Sequence, residues 1–198
     1  MSTVIPELFR TDHFVARRQV FKLLGAAFHV YSTDGRLLGY SKQKAFKLKE
    51  DIRLFADEAM TVELLNIQAR SVIDFSASYD VYDSYSKEHI GTLRRKGWSS
   101  IFRDQWEILD PSGILRGRVI EDSSWKAIVR RAHEMISLLL PQVFHIEVEG
   151  VVVGIMKQNH AFFTQKYQID LSHDTDGLLP RPLAVATVIL LLAIEGRQ

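Results

Sequence analysis

Hydrophobic and polar residues alternate along most of the chain, and turn signals separate the alternating stretches. Four stretches share one plan: an aromatic residue, any residue, an aliphatic residue, a polar turn, and an apolar run that closes on glycine. They are FHVYSTDGRLLG (28–39), YDVYDSYSKEHIG (79–91), WEILDPSGILRG (106–117) and FHIEVEGVVVG (144–154). Alternation with period two is typical of strands that bury one face, and Asp34-Gly35 is a hairpin-turn dipeptide. The pattern therefore predicts four β-hairpins.

The aromatic and the aliphatic residue of each hairpin are two positions apart, so they share one face of a strand. A fifth stretch, YQID (167–170), repeats this step. We predict that five such pairs face the interior: Phe28/Val30, Tyr79/Val81, Trp106/Ile108, Phe144/Ile146 and Tyr167/Ile169. Further strands are predicted at 14–23, 46–55, 62–70 and 155–163. Together these elements indicate one antiparallel barrel or sandwich.

Two segments break the period of two. The first, 122–141, opens on aspartate and serine and has apolar residues at helical spacing, so its first half is predicted to be a short helix that ends by Pro141. The second is the C-terminal run from Leu183 to Ile194, in which Thr187 is the one residue that is not apolar.

The C-terminal run could be a membrane-inserted segment or a buried core helix. A helix of this length rises only about 18 Å, whereas a bilayer core is about 30 Å thick. Arg181, Glu195 and Arg197 flank the run, so it cannot be lengthened cheaply. We therefore predict a core helix over about 181–195. A helix that is apolar on all sides needs walls around it, and a closed β-barrel supplies them.

Composition narrows the class of protein. The chain has 198 residues, a net charge of +1 and no cysteine. We expect a single domain over 1–198 without disulfides or thiolate metal sites. The near-neutral charge argues against a nucleic-acid partner. The N-terminus lacks the basic and long apolar regions of a signal peptide, so we expect a cytoplasmic protein that can associate peripherally with a membrane. We also expect a monomer.

The order of hairpins followed by a terminal apolar helix resembles the tubby-like superfamily, and specifically its phospholipid scramblase and LURP-one-related branch. The resemblance covers nearly the whole chain. It is carried by RRQVFKLLGAAFHVYSTDG, QKAFKLKEDIRLFADE, IDFSASYDVYDS, IGTLRRKGWSSIFRDQWEILD, RRAHEMISLLLPQVFHI, FFTQKYQIDLS and the final helix. The resemblance implies a mainly β fold with α, namely a closed barrel of about twelve antiparallel strands around the hydrophobic C-terminal helix.

Signatures of enzymes are absent from the sequence. We find no phosphate-binding loop, dinucleotide fingerprint, zinc-protease motif or nucleophile elbow. The seven histidines do not fall at metal-ligand spacing with another ligand type, and His29 and His145 are expected on the outer face of the barrel. The paired carboxylates, such as Glu50-Asp51, are adjacent and would point to opposite faces of a strand. We expect a protein that is not an enzyme and has no cofactor.

An acidic loop precedes the terminal helix, where scramblases carry a proposed calcium loop. Asp170, Asp174 and Asp176 are the weak calcium candidates in the stretch DLSHDTDG (170–177). Calcium requires six to eight oxygen ligands, including a late bidentate carboxylate, but Leu183 stands where the closing glutamate would be. A polar loop that leads into the helix is therefore the favoured interpretation.

Basic residues form two groups in the sequence. KQKAFKLK (42–49) contributes Lys42, Lys44, Lys47 and Lys49, and RRK (94–96) contributes Arg94, Arg95 and Lys96. Tubby domains bind phosphoinositide headgroups through surface lysine and arginine, so the resemblance makes these residues the candidate lipid-binding set. The alternative is that lysines keep barrel strands soluble and protect sheet edges.

The sequence therefore predicts a tubby-like barrel that binds anionic phospholipid or phosphoinositide headgroups at a membrane surface or acts as an adaptor. Two alternatives remain open. One is phospholipid scrambling, which requires the terminal helix or a hydrated groove to engage the bilayer. The other is a protein-interaction barrel with no lipid role.

Overall fold

The computed structural model describes residues 5–21, 25–43, 51–70, 77–96, 105–122, 142–161 and 164–195. Within them the chain forms a short 3-10 helix (Glu7–Arg10), twelve β-strands and one α-helix, α1 (Arg181–Glu195). The strands are β1 His13–Phe21, β2 Gly25–Ser32, β3 Leu37–Gln43, β4 Ile52–Phe55, β5 Glu63–Ala69, β6 Ser78–Asp83, β7 His89–Lys96, β8 Gln105–Leu109, β9 Leu115–Glu121, β10 Val143–Val148, β11 Val151–Ala161 and β12 Thr164–Asp170.

The twelve strands close into one antiparallel barrel in which sequence neighbours are also spatial neighbours. The ring runs β1-β12-β11-β10-β9-β8-β7-β6-β5-β4-β3-β2, so β1 and β12 complete it. The four predicted hairpins correspond to β2–β3, β6–β7, β8–β9 and β10–β11, and the predicted strands at 14–23 and 62–70 correspond to β1 and β5. The fold class inferred from the sequence is therefore confirmed.

Three predicted elements differ in their bounds from the structure or lie partly outside the described residues. The predicted strand at 155–163 is the second half of the longer β11, which starts directly after the β10–β11 turn. Of the predicted strand at 46–55, residues 51–55 are described, and Ile52–Phe55 of these form β4; residues 44–50 lie outside the described residues. The helix predicted within 122–141 also lies outside the described residues, apart from Asp122.

All five predicted inward pairs point into the barrel. Their relative exposure ranges from zero for Phe28, Val30 and Ile108 to 8% for Tyr79. Alternate side chains along each strand point to the same face of the sheet, and this face lines the closed interior of the barrel. Apolar side chains at these positions are therefore removed from water.

The C-terminal helix fills that interior. Residues 183–193 are each at most 3% exposed. Burial of one valine, leucine or isoleucine side chain contributes roughly 1.5–3 kcal/mol to the stability of the fold. Its one polar side chain inside this stretch, Thr187, donates its hydroxyl to the Leu183 carbonyl at 2.8 Å, so no polar group is left unpaired there. The Leu183 and Ala184 amides donate to the Pro180 carbonyl at 2.9 and 3.0 Å and close the first turn.

The prediction of a core helix is thus confirmed, with the bounds expected from the sequence. Within the described residues, no helix combines the length and apolarity that crossing a membrane requires.

The strands of the barrel end at two rims, which we call the hairpin end and the far end. We define the hairpin end by the connections that the structure describes: residues 5–12, 33–36, 56–62, 84–88, 110–114, 149–150 and 171–180. The far end is where β3 stops at Gln43, β7 stops at Lys96 and β8 begins at Gln105. The helix α1 enters the barrel from the hairpin end, because Arg181 contacts Asp12 and the Leu171 carbonyl there.

Candidate functional site

Charge is divided unequally between the hairpin end and the rest of the chain. The seven connecting segments of the hairpin end contain ten aspartates and glutamates and three lysines and arginines, for a net charge of −7. The whole chain carries +1, so the remaining residues contribute +8. A protein that is nearly neutral overall is therefore strongly acidic at one end, and its basic side chains are concentrated elsewhere.

Lys42 is the member of the first predicted basic group that the structure describes. It lies on the outer face of β3, one residue from its far-end terminus, and its side chain is exposed. It forms no ion pair with any described residue. Lys44, Lys47 and Lys49 lie outside the described residues, so their predicted role stays a prediction.

The second predicted basic group is divided by strand alternation. Arg94 and Lys96 are exposed on the outer face of β7, whereas Arg95 is half-buried and is registered opposite the inward-facing Trp106. Two of the three side chains can therefore face a ligand outside the barrel, and the third belongs to its inner layer.

Glu107 on β8 lies directly opposite Arg94 and partly neutralises the outer pair. Arg94 Nη2 is 2.6 Å from Glu107 Oε2, and Lys96 Nζ is 3.8 Å from Glu107 Oε1. The sequence did not indicate this contact, because it depends on the register of β7 against β8. The carboxylate leaves a net charge of about +1 on this part of the outer wall.

The two basic groups share the far end but do not form one patch. β4, β5 and β6 separate β3 from β7 in the ring. At a spacing of about 4.8 Å between neighbouring strands, Lys42 and Arg94 are roughly 19 Å apart along the sheet. A flat anionic surface could contact both, whereas one small anion could not.

The acidic loop before α1 is organised by its own backbone. Asp174 is buried and accepts hydrogen bonds from the Leu178 and Leu179 amides at 2.7 and 3.2 Å. Asp176 is exposed. These contacts assign Asp174 to shaping the entry to the helix, which is the polar-loop interpretation. No group of three metal-ligand side chains that could hold an ion occurs among the described residues.

Asp170 lies at the mouth of a surface groove that the sequence did not reveal. Partial burial raises its pKa, but hydrogen bonds from the Ser172 hydroxyl and amide, helped by His13 and His173, outweigh this and leave the pKa lowered. The groove has a volume of about 390 Å³ and lies on the outer faces of β1, β12 and β11, with Lys157 on its wall. The lining is mainly apolar and includes one cationic and one anionic side chain, Lys157 and Asp170. It therefore does not indicate whether a ligand would be anionic or cationic.

His29 lies on the outer face as predicted, yet it is only 8% exposed. Its ring stacks on Tyr31 at 5.9 Å and contacts Tyr40 at 5.0 Å, and its Nε2 is 3.2 Å from Glu58 Oε1. The β4–β5 connection therefore folds over this part of the wall. His145 is half-buried on the outer face of β10.

Comparison with protein families gives a match to the LURP-one-related (LOR) family over residues 13–191. The matched range extends from the first residue of β1 into α1 and therefore covers the whole ring of strands. No curated protein and no solved structure matches the chain significantly.

Proposed function

Because the chain belongs to the LURP-one-related family of the tubby-like superfamily, we propose that it is a non-enzymatic barrel domain that binds anionic phospholipid headgroups at a membrane surface. The single observation that supports this most is the separation of charge, since the hairpin end holds −7 of a chain whose total is +1. An anionic leaflet attracts each nearby lysine or arginine by about 1 kcal/mol.

The separation of charge also orients the molecule on the membrane. The acidic hairpin end is repelled by anionic lipid, so the barrel would approach with its far end, where Lys42, Arg94 and Lys96 are exposed. The distance between the two basic groups suits several headgroups in one plane better than one headgroup in a pocket. Phosphoinositides, which carry the highest charge, are the favoured lipids.

Surface binding is favoured over lipid transport by the position of α1. Its central residues are buried on every side by the strands that also form the rest of the core. Scrambling by this helix would require it to leave the barrel, which would expose the inner faces of all twelve strands to water.

Co-sedimentation with vesicles tests the proposal. Phosphatidylcholine vesicles with and without a phosphoinositide are compared for the wild type, Lys42→Glu and the sequence-based variant Lys47→Glu/Lys49→Glu. Loss of one attractive lysine is expected to weaken binding about fivefold, and reversal of its charge more.

A matched control is Lys87→Glu, which reverses an exposed lysine at the hairpin end. It changes the net charge by the same amount as Lys42→Glu and should bind vesicles as the wild type does. Equal binding to both kinds of vesicle, or equal loss in Lys42→Glu and Lys87→Glu, would contradict the proposal.

A further inference from the structure

Every exposed large hydrophobic side chain among the described residues lies in a connection of the hairpin end or at the first strand residue after one. The set is Ile5, Met60, Val62, Tyr85, Ile114, Leu115 and Val151, with exposures from 44% for Met60 to 74% for Tyr85. Single exposed apolar residues are common on protein surfaces, whereas a set on neighbouring hairpins can be contacted by one partner.

Six of these side chains lie on four hairpins that follow one another around the rim. They are Met60 and Val62 in β4–β5, Tyr85 in β6–β7, Ile114 and Leu115 in β8–β9, and Val151 in β10–β11; we call them the apolar tips. Consecutive hairpins are about 10 Å apart along the ring, and the four hairpins from β4–β5 to β10–β11 line about half of the closed rim.

Neighbouring tips are fixed to one another by hydrogen bonds. The Ser84 hydroxyl donates to Glu63 Oε1 at 2.8 Å and joins β6–β7 to β4–β5. The Glu149 amide donates to the Arg116 carbonyl at 3.2 Å and joins β10–β11 to β8–β9. The rim is therefore a preformed surface, which reduces the entropy lost when a partner binds.

Backbone strain at the same hairpins gives a second observation. Three non-glycine residues among those described have positive φ, namely Met60 (57°), Lys87 (61°) and Glu149 (52°), and each is in one of these four hairpins. Glycine adopts this conformation without steric cost. Met60 combines a strained backbone conformation with an exposed apolar side chain, and both are unfavourable for a free protein. Strained residues of this kind concentrate at sites where a side chain is used for binding.

The charge around the apolar tips identifies the kind of partner. The four connections that carry the apolar tips hold five aspartates and glutamates and one lysine, a net charge of −4, which opposes both an anionic membrane and a second copy of the same surface. We infer that the apolar tips form a docking surface for a protein segment that carries lysine or arginine among apolar side chains. This surface is independent of the proposed lipid contact, and the two together would make the protein an adaptor between a membrane and a partner.

Fluorescence anisotropy with a labelled peptide tests the docking surface. The probe is an amphipathic helix of leucine and lysine, about 20 residues long so that it is helical in isolation. Its controls are a scrambled peptide of the same composition and a leucine–glutamate peptide of the same pattern. The amphipathic basic peptide should bind most tightly, and added salt should weaken it.

The decisive variant is Met60→Gly/Tyr85→Ser. It should weaken binding of the basic peptide at least about tenfold. Its thermal midpoint should equal or exceed that of the wild type, because Met60→Gly removes backbone strain. This combination separates loss of binding from loss of folding. Asp51→Asn, which removes an exposed carboxylate at the far end, is the control and should keep wild-type affinity.

Unchanged affinity in Met60→Gly/Tyr85→Ser would overturn the inference, as would equal binding of the scrambled or the acidic peptide. Concentration-dependent dimerisation that the same variant abolishes would assign the surface to a second copy instead. The variant should bind phosphoinositide vesicles as the wild type does; loss of vesicle binding there would place lipid at the hairpin end and overturn this assignment. Failure of Lys42→Glu to alter vesicle binding would contradict only the lipid proposal.

Discussion

The inner and outer faces of the same barrel wall meet different demands. The inner face packs against α1, and a side chain such as Val81 or Ile108 there has no exposed surface. The outer faces of β7 and β8 carry charged side chains that are at least partly exposed. Arg94 and Glu107 form an ion pair there. The size and polarity of an inner side chain are therefore constrained by every neighbour it touches. For an outer side chain, the main constraint is its charge. This difference means that inner substitutions should have the larger effects on stability, and that effects on binding should come from outer ones.

The largest effect is expected from Leu190→Asp. Leu190 is 1% exposed in the middle of α1, and an unpaired buried carboxylate costs several kcal/mol, comparable with a total stability of about 5–15 kcal/mol. The variant should be unfolded by circular dichroism. Leu190→Met is the matched control and should cost less than about 1.5 kcal/mol. A folded, soluble Leu190→Asp protein would show that α1 is not the core.

A smaller inner-face effect is expected from Gly117→Ala. The added Cβ would lie 2.4 Å from the Glu147 carbonyl oxygen and 2.9 Å from Val148 Cγ2, and a strand backbone cannot move away cheaply. The expected loss is about 1–3 kcal/mol in urea unfolding. At Gly39 the nearest atoms are leucine methyl groups at 3.2 Å, so Gly39→Ala should cost less. The reverse order would contradict the packing described for the wall.

The stability that the β8–β9 turn contributes should depend on pH. Hydrogen bonds to Asp110 from the Ser112 hydroxyl and the Ile114 amide, with Arg116 adding to them, lower its pKa to about 2. A folded pKa below the unfolded value of about 3.9 stabilises the fold above pH 4, and this stabilisation disappears as the pH falls toward 2. Asp110→Asn should therefore lower the thermal midpoint at pH 7 but not at pH 2.

The control for the turn is Asp176→Asn, which changes an exposed carboxylate that forms no hydrogen bond with the described residues. It should leave the midpoint unchanged at both values of pH. If Asp110→Asn lowers the thermal midpoint equally at pH 7 and pH 2, the charge of the carboxylate does not stabilise the turn.

The smallest effect on stability, within about 1 kcal/mol, is expected from Glu107→Gln, because both cationic partners, Arg94 and Lys96, are about half exposed and water screens such ion pairs. Its effect on binding should be larger. Removing the carboxylate releases Arg94 and Lys96, so co-sedimentation with phosphoinositide vesicles should increase. Glu149→Gln, which makes the same change of charge at the hairpin end, should not increase it. No gain in Glu107→Gln would exclude β7 from the lipid surface.

The sequence predicted the inner face well because alternation and apolarity are local properties. Phe28 and Val30 are assigned to one face by their spacing alone, and the length and flanking charges of α1 identify it as a core helix. The outer surfaces depend instead on register and ring order. The pairing of Arg94 with Glu107 joins residues thirteen positions apart, and the apolar tips are neighbours only because four hairpins follow one another around the rim.

Hydrogen–deuterium exchange of the peptide that covers residues 183–194 tests the central claim, that α1 is the permanent core and that lipid binds to the outside of the wall. The exchange is measured with and without phosphoinositide vesicles. The α1 amides should be among the slowest to exchange in the protein, and vesicles should leave them unchanged while slowing exchange at the far ends of β3 and β7. Fast exchange in α1 without lipid, or a change of its exchange when vesicles are added, would contradict the claim.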